Sequence, residues 1–268
     1  MAETKHRKRN KDEAPLKERV LKLLTEHRGE YLSGEILAGK LSVSRQAVWK
    51  AVRTLEAEGV RLKGVTNRGY MLEERSDIIS RTGICMYLDR MPAGKLFLKK
   101  AADRIHIYET LDSTNTEAKR SLLLSDDRRL HGTVIIAKRQ TAGRGHTGSR
   151  FASPEGGVYL SILLDAGKIA DTGLPVTDRV SAAVCTVLET ACGVSMTKGP
   201  DSSLYAGQDK VCGILTEGIA DLETGIYSTY IIGIGIRMKK LRALQHACMQ
   251  KNELIASLIA ALAGELGF

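Results

Sequence analysis

No run of about 18 apolar residues occurs anywhere in this 268-residue chain, so no segment reads as a membrane-spanning helix. The opening residues are too charged to hold the apolar core of a secretory signal. Cysteine is scarce and unpaired: Cys85, Cys185, Cys192, Cys212 and Cys248 are scattered, odd in number and without metal-ligand spacing. That pattern argues against a disulfide framework and against a zinc site, and points to reduced thiols in a cytoplasmic protein with no structural metal. Internal repeats and low-complexity tracts are also missing beyond the first residues, which excludes repeat architectures.

What is present is ordinary in proportion and uneven in charge. A hydrophobic share of 43% suits a soluble globular protein, and the length allows two domains or one large one. The formal net charge is +9. Lys5, Arg7, Lys8, Arg9 and Lys11 crowd the start with almost nothing apolar between them, so residues 1–14 read as a disordered basic tail. Such a tail favours polyanions through counterion release, without reading sequence. A terminus serving solubility alone fits the same composition.

Residues 15–74 read as three helices followed by a hairpin. Pro15 stands where a first helix can begin, with Val20, Leu21, Leu23 and Leu24 as its apolar face. Ser33 is placed to cap a second helix carrying Ile36, Leu37 and Leu41. After a tight turn, Ser44 is placed to cap a third helix over 45–58, closed by Gly59. Its stripe of Ala47, Val48, Ala51, Val52 and Leu55 faces inward, while Arg45, Gln46, Lys50 and Arg53 face out. Two short helices joined by a tight turn, the second basic outside, describe a helix-turn-helix whose second helix enters the major groove. The hairpin that follows, with Arg68 at its turn, forms a wing able to reach phosphate or minor groove. Ser44, Arg45, Gln46, Lys50, Arg53 and Arg68 are therefore the candidate DNA-contacting residues. Trp49 is expected to pack between helix and wing. The plainer alternative is a small helical unit for dimerisation or substrate capping, its basic face merely solvated.

Residues 75–103 read as a charged linker with one short helix, and the pattern changes from 104 onward. Strands at 134–137, 158–164, 211–216 and 230–236 alternate with helices at 116–124, 180–191 and 252–266. This predicts an α+β fold, with a mixed sheet covered by helices on one face over residues 104–268.

The most informative stretch is Gln140-Thr141-Ala142-Gly143-Arg144-Gly145-His146-Thr147-Gly148, a loop between two apolar strands. Glycines there let the backbone approach an anion, and Arg144 supplies a fork for carboxylate or phosphate. Alone, such a loop is more simply a surface hairpin. Its companions are Ser113-Thr114-Asn115 upstream and Lys210-Val211-Cys212-Gly213-Ile214-Leu215 downstream. Singly, Ser113 is a helix cap, Gln140 a loop residue and Lys210 a solvated lysine. In this order, together, they resemble the adenylate-forming core of biotin protein ligases, and Ser44-Arg45-Gln46-Ala47-Val48-Trp49-Lys50 resembles the recognition helix of the repressor type of that family.

Over residues 16–268 the chain is similar to bifunctional biotin–protein ligase/biotin-operon repressors. The resemblance implies a winged helix-turn-helix ahead of a ligase core that joins biotin to ATP. The biotin then passes to a lysine of a biotin carboxyl carrier protein, of acetyl-CoA carboxylase or another biotin-dependent carboxylase. It also implies Mg²⁺ carried by the ATP, a homodimer, and operator DNA as partner. By the same resemblance Ser113, Thr114, Asn115, Gln140, Arg144, Gly145, His146, Lys210 and Gly213 surround biotin, with Arg144 and Lys210 as the catalytic cations.

The pattern departs from the family on the ATP side, where His146, Lys198, Asp201 and Arg237 are the candidate contacts. His146 and Thr147 stand where two arginines are usual, and Lys198-Gly199-Pro200-Asp201-Ser202 replaces Lys-Trp-Pro-Asn-Asp. One extra residue precedes Lys210, and Arg237 replaces an asparagine. The small SH3-like domain usual after the core does not follow Phe268. These changes leave two functions open: a working ligase and repressor, or a weakened homologue that only senses biotin or biotinyl-AMP. A lipoate-type transferase is a third, disfavoured by the motif over 141–145.

Overall fold

The structure, a computed structural model, describes residues 15–57, 60–73, 78–124, 130–221, 223–244 and 249–268. The basic tail, Glu58, Gly59 and Cys248 lie outside them. The chain divides into two compact units, Met1–Ile78 and Ile79–Phe268.

In the first unit α1 (Leu16–Glu26), α2 (Gly34–Leu41) and α3 (Arg45–Ala57) precede a hairpin of β1 (Leu62–Val65) and β2 (Gly69–Leu72). Local chemistry starts each helix where expected. Ser33 Oγ accepts the Ile36 N–H, and Ser44 Oγ accepts the Ala47 N–H, each at 3.1 Å. Ser42 turns the chain between α2 and α3 in the left-handed region, at φ 54°. Val48, Ala51, Val52 and Leu55 of α3 pack with Val20, Leu24 and Leu37 into one core. The chain at Leu32 pairs with Tyr70, tying the hairpin to the α1–α2 turn. The winged helix-turn-helix is therefore present.

The second unit is built on a seven-stranded sheet in the order β3-β4-β5-β9-β8-β7-β6. Its strands are β3 (Ile105–Leu111), β4 (Thr133–Gln140), β5 (Val158–Asp165), β6 (Thr197–Lys198), β7 (Leu204–Ala206), β8 (Asp209–Ala220) and β9 (Tyr227–Ile236). Among the described residues only β3 and β4 pair in parallel; their crossover carries α6 (Thr114–Leu124). β5, between β4 and β9, is buried on both faces, which is why its sequence is almost wholly apolar.

One face of the sheet, with Ile136, Leu160, Ile162, Ile232 and Ile234, packs under α4 (Arg81–Leu88), α5 (Pro92–Ala101), α7 (Val176–Cys192) and α9 (Lys251–Leu266). Residues 79–103 are thus not a linker with one helix. They form two helices packed on α9, and Ile84, Leu88 and Phe97 are fully buried. The expectation of helices on one face is also corrected. Ala118 of α6 joins Ile135, Leu163 and Ile231 on the opposite face, so strand alternation feeds two cores. α6 covers only part of that second face. The uncovered part is the candidate site.

Candidate functional site

Along the uncovered face the inward positions are small or polar. Ser161 of β5 pairs with Gly233 of β9, and Gly235 pairs with Gly213 of β8. A Cβ on Gly233 would meet Asn115 Oδ1 at 2.3 Å, and one on Gly235 would meet the Phe151 ring at 2.4 Å. Glycine here is a condition of the site, because the sheet itself is its floor.

Above this floor lies a hollow of about 460 Å³ counting its open mouth. Ser113, Thr114, Asn115, Gln140, Arg144, Gly145, His146, Lys210 and Gly213 all line it, together with Phe151, Asp201 and Ser203. Four separate chain segments meet there: the junction of β3 and α6 at Ser113 and Thr114, the end of β4 at Gln140 with its loop, the start of β8 at Lys210, and the β9 residues Gly233 to Gly235.

The inner end is a dense polar network. Gln140 Oε1 accepts the Thr114 N–H at 2.8 Å, and Gln140 Nε2 donates to Ser153 Oγ at 2.8 Å. Ser161 Oγ lies 2.7 Å from Thr114 Oγ1 and 2.6 Å from Asn115 Oδ1. Asn115 Nδ2 donates to Glu217 at 2.8 Å, and Lys119 pairs with the same carboxylate at 2.6 Å. Burial works against the charge of Glu217. The hydrogen bonds from Lys119 and Asn115 and the fields of Lys119 and Arg144 outweigh it, holding the carboxyl below its ordinary value.

The mouth is cationic. Lys210 Nζ donates to Asp201 Oδ2 at 2.9 Å, and Ser203 Oγ donates to the same oxygen at 2.8 Å. The hydrogen bond from Lys210, reinforced by Ser203, holds the Asp201 carboxyl down to about 2 despite partial burial. Arg144 reaches the hollow from a loop pinned on itself, where the Gly145 N–H is spent on Ser149 O at 2.7 Å. That amide is turned to the loop, not to the hollow.

The residues assigned to the ATP side do not stay together. His146 and Asp201 line the hollow, whereas Lys198 is turned away to pair with Asp178 in the first turn of α7. A tight turn over 199–203, closed by the Gly199 N–H on Ser203 O, lies between Lys198 and the hollow-lining Ser203. Arg237 stacks over the Phe151 ring, 5.2 Å from its centroid, beside the hollow rather than on its wall. Gly199, where the resemblance expects an aromatic platform, has the Tyr205 ring 2.8 Å from where its Cβ would be.

Three contributors were not legible from motifs alone: Phe151, Ser161 and Glu217. Ser161 had a signal, since a lone hydroxyl inside an apolar buried strand needs a partner. No group of three or more His, Cys, Asp or Glu able to hold a metal occurs among the described residues. Cys212 faces the helical core, and burial pushes its thiol up to about 12. No helix among the described residues is long and apolar enough to cross a membrane.

In the first unit, Arg45, Gln46, Lys50 and Arg53 are exposed on α3, as is the Arg68 turn of the hairpin. Arg45, Gln46 and Trp49 share one open groove with the hairpin residues Gly64, Val65, Thr66, Asn67, Gly69 and Tyr70; Arg68 does not line it. Trp49 was expected to pack at the helix–wing junction. It does line that groove, yet it is 48% exposed, with Arg53 over its ring at 5.5 Å. Arg53 is also paired with Glu56 at 3.2 Å, and Arg68 stacks over Tyr31 at 5.6 Å.

Comparison with known proteins gives the same two parts. Residues 17–71 match the family described as HTH domain, and residues 107–237 match the biotin/lipoate A/B protein ligase family. The bifunctional ligase/repressor BirA of Bacillus subtilis is 30% identical over 227 residues, covering 84% of this chain and 66% of that protein. The protein of the same name from Escherichia coli is 30% identical over 217 residues, 80% of this chain and 61% of its own length. The chain thus spans just under two thirds of these relatives. Among solved structures, a biotin protein ligase from Aquifex aeolicus in complex with biotin and ATP is 24% identical. It has a TM-score of 0.49 and covers 61% of this chain and 70% of that one.

Proposed function

We propose that this chain, whose residues 107–237 match the biotin/lipoate A/B protein ligase family and residues 17–71 an HTH domain, activates biotin with ATP and transfers it to a carrier protein, while its first unit binds operator DNA as a biotin-responsive repressor. The acceptor is a lysine of the biotin carboxyl carrier protein of acetyl-CoA carboxylase or of another biotin-dependent carboxylase. The protein acts in the cytoplasm as a homodimer, since helix-turn-helix repressors read two half-sites.

One observation carries this reading: nine residues named from three separate motifs line one hollow. Its chemistry suits the ligand. A ureido ring needs donors and acceptors in an otherwise closed slot, and Ser113, Thr114, Asn115 and Gln140 supply them. In the first step a biotin carboxylate oxygen bonds to the α-phosphorus of ATP, and pyrophosphate leaves. Arg144 and Lys210 offset the repulsion between carboxylate and triphosphate. In the second step the carrier's lysine amine attacks the acyl carbon and AMP leaves, so no nucleophilic side chain of this protein is needed. Lys210 exchanges Asp201 for a ligand oxyanion without losing a counter-charge. Mg²⁺ suits this donor set as an ion carried by the phosphates, which needs few protein ligands.

A second reading is favoured by three positions: Lys198 paired with Asp178, Gly199, and Arg237 stacked on Phe151. Losing one preorganised donor costs about 10²–10³ in rate, so these departures favour a biotin or biotinyl-AMP sensor with little turnover. Calorimetry with biotin, ATP and biotinyl-AMP separately, with ATP/pyrophosphate exchange, tests both. Exchange at ordinary ligase rates supports the enzyme, biotin binding without exchange supports the sensor, and no binding of biotin or its adenylate refutes both.

A further inference from the structure

We infer that Glu217, which is outside the hollow, is a positioning residue that sets the direction of the hydroxyl protons at its inner end, so that Thr114 meets the ligand as a hydrogen-bond acceptor only. The inference rests on the biotin reading above and names what makes that site selective.

It follows from counting protons. A carboxylate can only accept, so the Asn115 amide must turn its Nδ2 to Glu217, at 2.8 Å. Turned the other way, Oδ1 would face a carboxylate oxygen at that distance. Lys119 at 2.6 Å keeps Glu217 ionised and in place. The amide also lies so close to the sheet that residue 233 must be glycine. Asn115 Oδ1 is therefore committed to face Ser161.

Ser161 Oγ is wholly buried, at 0% exposure, and carries a single proton. Asn115 Oδ1, 2.6 Å away, has none to give, so Ser161 donates to it. The 2.7 Å contact between Ser161 Oγ and Thr114 Oγ1 then requires Thr114 to donate to Ser161. The Thr114 proton is thereby spent. Gln140 Oε1, 3.2 Å from that hydroxyl, takes the Thr114 backbone N–H at 2.8 Å instead. Since Thr114 lines the hollow, it offers a ligand only lone pairs. Whatever sits against it must bring a hydrogen. In a ureido ring that is a ring N–H, and a ring oxygen there would set lone pair against lone pair.

A purely structural ion pair between strand and helix would stabilise the fold without affecting this selectivity, and the test separates the two. Calorimetry on the full chain compares biotin with the two analogues in which one or the other ureido N–H is replaced by a ring oxygen. Wild type should bind one of these analogues about 10- to 100-fold more weakly than biotin. In Glu217→Met the Asn115 amide is free to turn, the Ser161 proton is released, and Thr114 can donate. The ratio should then fall to within about threefold of one. Glu217→Gln keeps the side-chain shape, but Lys119 draws its amide oxygen and its amide nitrogen faces Asn115, so the ratio should fall there too. Ser161→Ala breaks the relay at its middle and should lose the ratio too, which covers the case in which Glu217→Met does not fold. Wild type binding both analogues as tightly as biotin, or Glu217→Met and Ser161→Ala keeping the wild-type ratio, overturns the inference. Wild type that binds no biotin overturns the ligand reading itself.

Discussion

Lys210 Nζ and Asp201 Oδ2 stand 2.9 Å apart at the mouth of the hollow, so the cation best placed to receive an anionic ligand already has a counter-ion. That pairing both protects the ammonium before ligand arrives and sets what the ligand must displace. Its pH behaviour is open to measurement.

The Asp201 carboxyl is held down to about 2 from 3.8, chiefly by the hydrogen bond from Lys210. A depressed carboxyl contributes stability that is full above its unfolded value and is lost as pH falls through its folded one. The window therefore runs from about pH 4 down to about 2. With 37% of the Asp201 side chain exposed, screening limits the contribution to roughly 0–1 kcal/mol. Denaturant melts of wild type and Asp201→Asn should differ by a constant amount from pH 7 to 5 and converge below pH 4. A difference that widened on acidification would contradict the assignment.

Two lysines drawn from the same part of the sequence should behave differently. Lys210→Ala should reduce adenylate formation, measured as ATP/pyrophosphate exchange with biotin, by about 10²–10³. Lys198→Ala, on a side chain paired with Asp178 outside the hollow, should leave that rate within about threefold of wild type, because an exposed pair contributes little. Equal losses in the two variants would mean that Lys198 leaves Asp178 to join the reaction.

Two glycines make a matched contrast. Gly233→Ala places a methyl 2.3 Å from Asn115 Oδ1, and should cost about 1–3 kcal/mol of stability together with biotin affinity. Gly264→Ala, within α9, meets nothing closer than Ala93 Cβ at 3.8 Å. It should instead raise stability by about 0.5–1 kcal/mol, as expected for replacing an unconstrained helical glycine. Thermal melts of both variants check the pair, and loss of stability in Gly264→Ala would mean α9 is more tightly covered on that side.

On the DNA face the exposed residues should separate by what they touch. Arg68→Ala should weaken binding to any duplex and flatten the dependence of log affinity on log salt by about one. Gln46→Ala, near the start of α3, should cost about 1–3 kcal/mol only on the preferred sequence. Fluorescence anisotropy across a salt series, on a selected and a scrambled duplex, distinguishes the two. Unchanged binding in both variants would favour a helical unit that serves association rather than DNA.

Much of the fold was legible because its signals are local. Ser33 and Ser44 announce helix starts by their own hydroxyls, and the apolar runs of β4, β5 and β9 announce buried strands. The reading of 75–103 as a linker with one short helix missed α5, whose first turn holds Pro92, where a missing N–H costs nothing. The hollow's lining was legible through resemblance rather than spacing, since Ser113 and Lys210 meet only once the sheet has formed. That Lys198 pairs with Asp178 outside the hollow is not legible in the motif, because the tight turn after it exists only in the folded chain. Glu217 escaped notice because its role passes through Asn115 and Ser161, and only proton counting in three dimensions reveals it.

The sheet order has a consequence for biosynthesis. β5 lies between β4 and β9, two strands separated in sequence by α7 and three further strands. A growing chain therefore has no complete floor beneath Thr114 until Gly233 and Gly235 have left the ribosome. Such long-range pairing is slow to close. A ligand of the hollow present during translation can stabilise only the last stage of assembly, and the helix-turn-helix unit, made first from neighbouring segments, is complete well before the sheet that carries the hollow.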